Sequence, residues 1–416
     1  MESKELYQCL LGLSSPWTVE RVELDMAKQQ VDVHVGHPKG ARFACPECGH
    51  ELAVYDHAAE RAWRHLDSCQ FLTHLHASAP RVDCPEHGVR QAKLPWAEAG
   101  SRFTHLFEVL AIDMLRAANV KQAAAILRIS WDQAWHLMER AVLRGRQAKG
   151  SAMPKRIGID EKAISKGHHY MTLVCDHEAA TVEYIGEERK EESLGAYFTA
   201  FTKKQRAQIE AISLDMWPAY IKACRVHVPQ AGDKMVFDRF HIMQHVGNGV
   251  DRVRKQEHKT LVSQGDHTLA RSKYLWLYNP ANMPDQARER FAQIKHEHLK
   301  TGRAWALKEA LRDFWSCDTP ASAKHFWKRW YFWATHSRLP SMIDAAKMIA
   351  RHLPNVLTYF THFITNAVAE GLNSKIATVQ KRACGFRNRD NFKIAVYFHC
   401  GGLNLYPARA THAAAG

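Results

Sequence analysis

The sequence has no long uninterrupted apolar run. None of its segments reaches the roughly 18 consecutive apolar residues that a membrane-spanning helix needs. The opening stretch, MESKELYQCLLGLSS, also lacks the apolar core of a secretory signal peptide. These absences argue against a membrane or secreted protein, and we expect a cytoplasmic one.

The sequence also has few closely spaced cysteines and no excess of acidic residues. Ten cysteines lie mostly singly, apart from Cys45 and Cys48, which argues against a disulfide framework and favours a metal site for that pair. The 43 acidic residues are outnumbered by 57 Lys and Arg, which leaves a net charge of +14. A charge of that size favours a polyanionic partner such as nucleic acid, although it also fits a merely basic soluble protein.

The chain is longer than a single hydrophobic core usually spans, so we expect two or three domains. Residues 20–100 alternate apolar and polar positions between Pro and Gly turns, which predicts a small β-rich module. From Arg102 the pattern becomes helical until GSAMPK at 150–155, where Gly, Ser and Pro break it.

The remainder divides into a mixed part and a helical part. Three strand-like runs after residue 155 precede a helical run over 194–209, a strand, a helix and a further strand, which predicts a mixed sheet flanked by helices. From about 240 to 365 amphipathic, Trp-rich helices replace the strands. Six aromatic residues there could stack on unpaired bases, but their spacing is more typical of a helical core. They are Phe326, Trp327, Trp330, Tyr331, Phe332 and Trp333.

Two short motifs predict a structural zinc site. Cys45-Pro-Glu-Cys48 and Cys84-Pro-Glu-His87 each offer two ligands on a tight turn, and two such turns can close a tetrahedron. The alternative is a pair of unrelated turns. Because both motifs share the form Cys-Pro-Glu, we favour a joint metal site over this alternative. Four neighbours could replace a misassigned ligand: His50, Cys69, His74 and His76.

The stretch NVKQAAAILRISWDQAWHLMERAVLRGR reads as two helices joined by a turn. Ser130 and Gln133 have the spacing of a capping box at the start of the second helix. Such a pair is either a helix-turn-helix or an ordinary helical hairpin, and the basic charge and zinc motif favour DNA binding. The residues that would face DNA are Trp131, Gln133, His136, Arg140 and Arg144.

Three acids occupy comparable places in the mixed domain. Asp160, Asp215 and Asp238 each end a strand-like run, and strand ends in open α/β sheets are where functional groups converge. Clustered carboxylates repel one another unless cations neutralise them, which points to Mg²⁺. Each aspartate alone would more often be a simple turn residue.

Several segments, taken in order, resemble the transposases of the ISL-three family of bacterial insertion sequences. They are IGIDEKAISKGHHYMTLVCD, ISLDMWPAYIKA, VFDRFHIMQHVGNGVDRVRKQ and NAVAEGLNSKIATVQKRACGFRNRDNF, together with the Cys-Pro-x-Cys module and SRFT. The resemblance implies a DDE transposase with an RNase H-like core, interrupted by an all-helical insertion. The chain departs from the family at His87, where a cysteine is common.

The resemblance also implies residue roles. Asp160, Asp215 and Glu370 would be catalytic and bind two Mg²⁺ ions, with Asp238 and His241 as near-site candidates. The protein would bind the terminal inverted repeats of its element and cleave and join DNA strands, as a homodimer on DNA in the bacterial nucleoid. The implied domains are a zinc module 1–100, a helix-turn-helix 101–150, a catalytic core 151–240 and 363–405, an insertion 241–362 and a disordered tail 406–416.

The segment around Glu370 supports that role from its own pattern. Val368, Leu372 and Ile376 form an apolar stripe on a predicted helix, and Glu370 falls on the opposite side. The basic residues that follow could hold DNA phosphates or could form an ordinary solvated face. They are Lys375, Lys381, Arg382, Arg387 and Arg389.

Two other classes of function compete with transposition. One is a non-catalytic zinc and helix-turn-helix regulator, against which the retention of Asp160, Asp215 and Glu370 argues. The other is an RNase H-like nuclease or resolvase that does not join strands, which only the family resemblance separates from a transposase.

Overall fold

The structure is a computed structural model that describes residues 2–150, 152–165, 169–295 and 298–408. Over these residues the chain forms two compact units. The first comprises Met1–Gly150, Val379–His399 and Leu403–Gly416, and the second Ser151–Thr378 with Cys400–Gly402. Each unit has its own hydrophobic core, built around Trp63 and Leu75 in the first and around Ile212 and Trp276 in the second.

The start of the first unit is rich in strands, as the sequence predicts. Its elements are α1 Ser3–Leu10, β1 Thr18–Asp25, β2 Gln30–Gly36, β3 Arg42–Ala44, β4 Glu51–His57, β5 Arg61–Ser68, β6 Phe71–Ala77, β7 Pro80–Cys84 and β8 Gly88–Gln91. They form two four-stranded sheets, ordered β1-β2-β6-β5 and β3-β4-β7-β8. Val31, Val33 and Val35 alternate inward along β2, because successive side chains of a strand face opposite sides.

Three helices follow in the same unit: α2 His105–Ala117, α3 Val120–Leu127 and α4 Trp131–Lys149. Asn119 caps α3, and α3 ends at Arg128 in the left-handed conformation. Ser130 and Gln133 form the predicted capping box at the start of α4. The small side chains of Ala123 and Ala124 are buried, which lets α3 pack closely on α4.

The second unit contains the predicted mixed sheet. Its strands are β9 Arg156–Ser165, β10 His169–Asp176, β11 Thr181–Glu187, β12 Ala211–Leu214 and β13 Met235–Phe237. The order is β11-β10-β9-β12-β13, with β9, β12 and β13 parallel and β10 antiparallel to both neighbours. The helices among them are α5 Glu191–Thr199, α6 Lys203–Ala207, α7 Pro218–His227 and α8 Ala231–Lys234. The single helix predicted over 194–209 is wrong, because α5 ends at Thr199 and Thr202 caps a second helix.

Helices replace strands after β13, also as predicted. They are α9 Arg239–Ser263, α10 Lys273–Leu277, a 3-10 turn Pro280–Asn282, α11 Asp285–Ile294, α12 Lys300–Phe314, α13 Pro320–Thr335, α14 Pro340–Leu357, α15 Tyr359–His362, α16 Ala367–Arg382 and α17 Arg389–Cys400. On α13, Trp327 and Trp330 are buried in the core, whereas Phe332 and Trp333 are exposed. Among the described helices, none combines the length and apolar character needed to cross a membrane.

Candidate active site

Three aspartates lie at the same edge of the mixed sheet. Ile159, Leu214 and Phe237 are paired across β9, β12 and β13. Asp160, Asp215 and Asp238 each follow one of these paired residues, so parallel strands bring them to the same level. Asp215 and Asp238 directly follow the ends of β12 and β13, as predicted, but the predicted strand end at Asp160 is wrong, because β9 continues past it to Ser165 and pairs there with β10.

His241 neutralises part of this acidic cluster. It lies one turn into α9, with its Nδ1 2.6 Å from Oδ1 of Asp215 and 3.2 Å from Oδ2 of Asp238. Hydrogen bonds to Asp215 and then to Asp238 raise the pKa of His241 to about 10, so the imidazole carries a positive charge at neutral pH. Asp215, Asp238 and His241 form one of the groups of side chains that are close enough to share a metal ion.

Asp160 is held by two hydrogen bonds while burial opposes its charge. The backbone N–H of Glu161 donates to Oδ1 at 2.8 Å, and Nδ2 of Asn373 donates to Oδ2 at 2.7 Å. Burial raises the pKa of Asp160 to about 6, and the nearby charge of Asp215 adds to the rise. A carboxylate held this way is oriented but incompletely neutralised, which is the state a cation would stabilise.

Helix α16 carries Glu370 between two residues that contact this cluster. The backbone N–H of Asn366 donates to Oδ1 of Asp238 at 3.4 Å, and its side-chain oxygen accepts from Ser213 at 2.8 Å. Asn373 contacts Asp160, as described above. Asn366 directly precedes α16, and Asn373 lies three residues after Glu370 on the same helix face, so Glu370 shares the face whose Asn373 side chain contacts Asp160. Glu370 is not a member of the group formed by Asp215, Asp238 and His241. Its side chain is exposed.

The supporting amides are the residues that the sequence interpretation missed as part of the site. Nothing local in the sequence shows that Asn366 and Asn373 would contact aspartates that follow or lie in distant strands. Oδ1 of Asn373 and Nδ2 of Asn366 are buried without a hydrogen-bond partner among the described residues. Oδ1 of Asp215 is also buried and, apart from its ion pair with His241, has none.

The four predicted zinc ligands come together in the first unit. The β3–β4 turn carries Cys45 and Cys48, and the β7–β8 turn carries Cys84 and His87. Sγ of Cys84 lies 3.6 Å from Sγ of Cys48 and 3.5 Å from Nδ1 of His87, and Sγ of Cys45 lies 4.0 Å from the same nitrogen. Ligands about 2.3 Å from a tetrahedral zinc ion are about 3.8 Å apart, so this donor set fits the ion.

The thiol of Cys84 is already biased toward the form that binds metal. The hydrogen bond to His87 is the largest influence and lowers the pKa of Cys84 to about 6. The alternative ligands His50, Cys69, His74 and His76 are not members of this group among the described residues.

The helix-turn-helix candidates divide by exposure. Trp131 and His136 are exposed on α4, and Gln133 uses its side-chain oxygen to accept the Ser130 N–H at 2.9 Å. Arg140 and Arg144 instead pair with Glu108, which is buried, and Arg144 also binds Glu98 at 2.8 Å. These ion pairs direct the two guanidinium groups into the first unit, contrary to a position facing DNA.

Basic side chains gather beside this helix pair within the first unit. A cavity of about 700 Å³ is lined by Lys121, Trp131, Arg382, Phe386 and Arg387, among others, and none of its described lining residues is acidic. Trp131 stacks on Trp135 with ring centroids 5.5 Å apart. The remaining predicted phosphate contacts, Lys375, Lys381 and Arg389, are exposed.

Three family models match the chain in succession. A zinc finger of the transposases IS204, IS1001, IS1096 and IS1165 matches residues 41–87, and the helix-turn-helix domain of transposase family ISL3 matches residues 92–142. The transposase model of the same family matches residues 157–396.

Curated relatives align with nearly the whole chain. The transposase for insertion sequence element IS1001 of Bordetella parapertussis is 26% identical over 403 residues, which cover 95% of this chain and 98% of the relative. The transposase for insertion sequence element IS1557 of Mycobacterium tuberculosis is 25% identical over a match of 442 residues. This match includes 99% of this chain and 99% of the relative.

Proposed function

The chain belongs to the ISL3 family of transposases, and from this premise we propose that it is a DDE transposase that cleaves and joins DNA at the ends of an insertion sequence. The observation that carries the proposal is the contact of Asp160 with Asn373, on the face of α16 that bears Glu370, together with the contact of Asp238 with the backbone directly before that helix. Both DNA steps are phosphoryl transfers, for which oriented carboxylates and bound cations suffice.

An RNase H-like core is the architecture we propose for the second unit. The sheet order β11-β10-β9-β12-β13, with β10 antiparallel, supports this assignment. The helical segment 241–362 would then be an insertion between the core segments 151–240 and 363–405. The zinc module 1–100, the helix-turn-helix 101–150 and the tail 406–416 complete the proposed division.

Asp160, Asp215 and Glu370 would hold two Mg²⁺ ions. The donor set fits, because the buried Oδ1 of Asp215 has only its ion pair with His241 among the described residues, and burial makes the charge of Asp160 costly. When bound, the ions supply activation of the attacking oxygen and stabilisation of the leaving oxygen of a phosphodiester. Asn373 would keep one oxygen of Asp160 turned toward the site, and Asn366 would fix Asp238 beside it.

DNA recognition would fall to the helix-turn-helix and to exposed basic residues. We propose that Trp131, Gln133 and His136 on α4 approach base edges, because α4 is the second helix of the helix-turn-helix. Arg140 and Arg144 would set the position of α4 through Glu108 rather than bind phosphates. Phosphate contacts would come from the exposed basic residues. These are Lys375, Lys381, Arg382, Arg387 and Arg389.

Zinc bound by Cys45, Cys48, Cys84 and His87 would be structural. Four protein ligands leave no open position for substrate, so the ion would fix the two turns of the strand-rich region. The terminal inverted repeats of the element would be the bound DNA. Joining two ends requires both to be held together, so we propose a homodimer as the assembly on DNA.

Substitution of Glu370 tests the catalytic proposal. The protein is incubated with DNA that contains the element's end and with Mg²⁺, and nicking and strand joining are measured. Glu370→Gln should reduce both by about 100-fold or more, because a lost metal ligand should cost at least as much as a lost supporting partner. Binding to the end should be unchanged.

The matched control is Glu192→Gln, an exposed glutamate on α5. Its nicking and joining should equal those of the unmodified protein. Equal activity of Glu370→Gln and the unmodified protein would overturn the role of Glu370. Mg²⁺-dependent cleavage with no strand joining would replace the transposase proposal with a nuclease, and end binding with no cleavage at all would favour the regulator.

A further inference from the structure

A second group of potential metal ligands lies outside both sites described above. His34, Glu60 and His76 each offer one ligand atom, and these three atoms lie within 4.8 Å of one another. The two histidines are half-buried and the glutamate is exposed. They line an open cavity of about 840 Å³ in the first unit. None of these residues has a part in the zinc site of Cys45 and Cys84 or in the carboxylate site.

The strand pairing creates this cluster. His34 on β2 and His76 on β6 are direct partners in a parallel ladder, and their rings stack with centroids 4.7 Å apart. Glu60 lies immediately before β5, and Ala62 of β5 pairs with His76 from the other side. Strand pairing therefore fixes the two histidines, and Glu60 is held next to the first residue of β5, as a preformed ligand set requires.

A supporting carboxylate orients one of the histidines. Nε2 of His76 lies 2.7 Å from Oδ1 of Asp32, and Nε2 of Gln30 donates to both oxygens of Asp32 at 2.8 Å. This contact leaves Nδ1 of His76 to face Glu60. Metal-binding histidines commonly use the second ring nitrogen in this way, because a carboxylate fixes the ring and makes the ligand nitrogen more basic.

The distances suit a shared ion better than direct hydrogen bonds. Nδ1 of His34 and Nδ1 of His76 each lie 3.6 Å from Oε1 of Glu60. Ordinary hydrogen bonds between nitrogen and oxygen are about 2.7–3.2 Å long. Two ligands each about 2.1 Å from a tetrahedral ion would be about 3.4 Å apart, which is close to the observed separation.

Acidic side chains offset the one guanidinium that these contacts place beside His34. Nη2 of Arg21 lies 3.3 Å from Nε2 of His34 and 3.5 Å from Nδ1, the nitrogen that faces Glu60, while Nε of Arg21 pairs with Glu23 at 3.0 Å. Glu23 itself lies 3.8 Å from Nε2 of His34. The positive charge of Arg21 is therefore offset beside the cluster, and Asp32 and Glu60 add negative charge.

We propose that His34, Glu60 and His76 form a second metal site that takes a divalent transition-metal ion such as Zn²⁺. Two imidazoles and one carboxylate match the ligand preference of zinc, and three protein ligands leave a coordination position open to solvent. The ion would tie β2, β6 and the start of β5 together. The proposal does not depend on the transposase function.

Metal content measured on the full chain tests the proposal. The protein is saturated with Zn²⁺ in excess Mg²⁺, to occupy the carboxylate site, and the zinc retained after dialysis is counted. We expect about two Zn²⁺ ions per chain, with Co²⁺ showing one thiolate-rich spectrum and one without thiolate bands. His34→Ala and His76→Ala should each lose the second ion and keep the thiolate spectrum.

His57→Ala is the matched control, because His57 lines the same cavity but is not in the ligand set. It should retain both ions. Hydrogen exchange of β2 and β6 gives a second readout, and Zn²⁺ should slow it in the control but not in His76→Ala. Equal zinc content in His76→Ala and the unmodified protein would overturn the proposal, as would loss of the second ion in His57→Ala.

Discussion

At the scale of single residues, the candidate active site depends on amides as much as on carboxylates. Asp160 and Asp238 could be predicted from the sequence because each follows a short apolar run, although only Asp238 follows the end of a strand and Asp160 lies within β9. The contacts of Asn366 and Asn373 could not, because they join residues that are at least 128 positions apart in the chain. Once the fold is known, their roles can be read from the contacts: the side-chain amide of Asn373 holds Asp160, and the backbone N–H of Asn366 holds Asp238.

Asn373→Ala tests whether Asn373 supports the active site by holding Asp160 in place, without binding metal itself. The substitution removes the hydrogen bond to Oδ2 of Asp160, and loss of such a supporting partner typically lowers metal affinity or activity by about 10–100-fold. We expect end nicking to fall by that amount, with part of the loss restored by higher Mg²⁺ concentration. Nicking rates measured across a Mg²⁺ titration check this expectation.

Ser374→Ala provides the control for that substitution, because Ser374 is the next residue on the same helix and is exposed. Its Mg²⁺ dependence should match that of the unmodified protein. An unchanged nicking rate in Asn373→Ala would show that Asp160 needs no support from α16.

At the scale of helices and strands, the sequence predicts those features that depend on residues close together in the chain. The capping box at Ser130 and Gln133 was predicted and observed. The same signal at Thr202 and Gln205 was present in the sequence but was missed, so one helix was predicted where α5 and α6 form. Pairing of β2 with β6 was not predictable, because parallel partners are distant in sequence and only the folded sheet sets their register.

Lys308 should be the critical cation of the helical block. Its Nζ donates to the carbonyl of Trp276 at 2.9 Å at the end of α10 and pairs with Glu309 at 2.6 Å, while its side chain is almost fully buried. Lys308→Ala would leave the carbonyl unpaired and Glu309 with Arg312 as its remaining ion-pair partner, which should destabilise the second unit by about 1–3 kcal/mol. Thermal or denaturant unfolding of the second unit measures the effect.

Lys324→Ala is a suitable comparison, because Lys324 is exposed on α13 of the same block. It should change stability by no more than about 0.5 kcal/mol. A loss as small in Lys308→Ala would mean that the buried ion pair contributes little.

Helix α17 should make the first unit sensitive to acid. Burial is the largest influence that lowers the pKa of His399 to about 4, and the charges of Arg382 and Arg116 lower it further. A base whose pKa is lowered on folding contributes fully to stability above its unfolded value of about 6.5 and loses that contribution as pH falls toward 4. We expect a loss of about 1–2 kcal/mol by pH 5.

His399→Gln should remove this part of the pH dependence, because the amide does not titrate. Unfolding of the zinc-saturated protein is measured between pH 7 and pH 5 for the variant and for His136→Gln, an exposed histidine on α4. Only His399→Gln should flatten the curve. Parallel curves for the two variants would contradict the assignment to His399.

At the scale of the whole molecule, the prediction from sequence was strongest for the order of functional regions. The zinc motif, the helix pair and the strand-terminal acids each have a local pattern, and their order agrees with the matched zinc-finger, helix-turn-helix and transposase regions. Local sequence patterns could not predict which segments of the chain make up each of the two units. Residues Val379–His399 join the first unit although they follow the second along the chain.

Separate cores imply separate responses to loss of zinc. The core of the first unit includes Cys45 and Cys84 themselves, whereas the core of the second unit contains neither. Chelation should therefore lower the unfolding temperature of the first unit and leave that of the second unchanged, because the binding energy of a structural ion is folding energy. Calorimetry on the full chain, with and without a zinc-selective chelator, should show two transitions of which only one moves.

Cys48→Ser should reproduce the effect of chelation, because it removes one thiolate from the tetrahedral set. Cys9→Ser, which replaces an exposed cysteine outside the set, should not. Binding to end DNA should weaken together with the first transition, since the unfolding region adjoins the helix-turn-helix in sequence. Movement of both transitions would show that the units unfold together, and movement of neither would exclude a structural role for the ion.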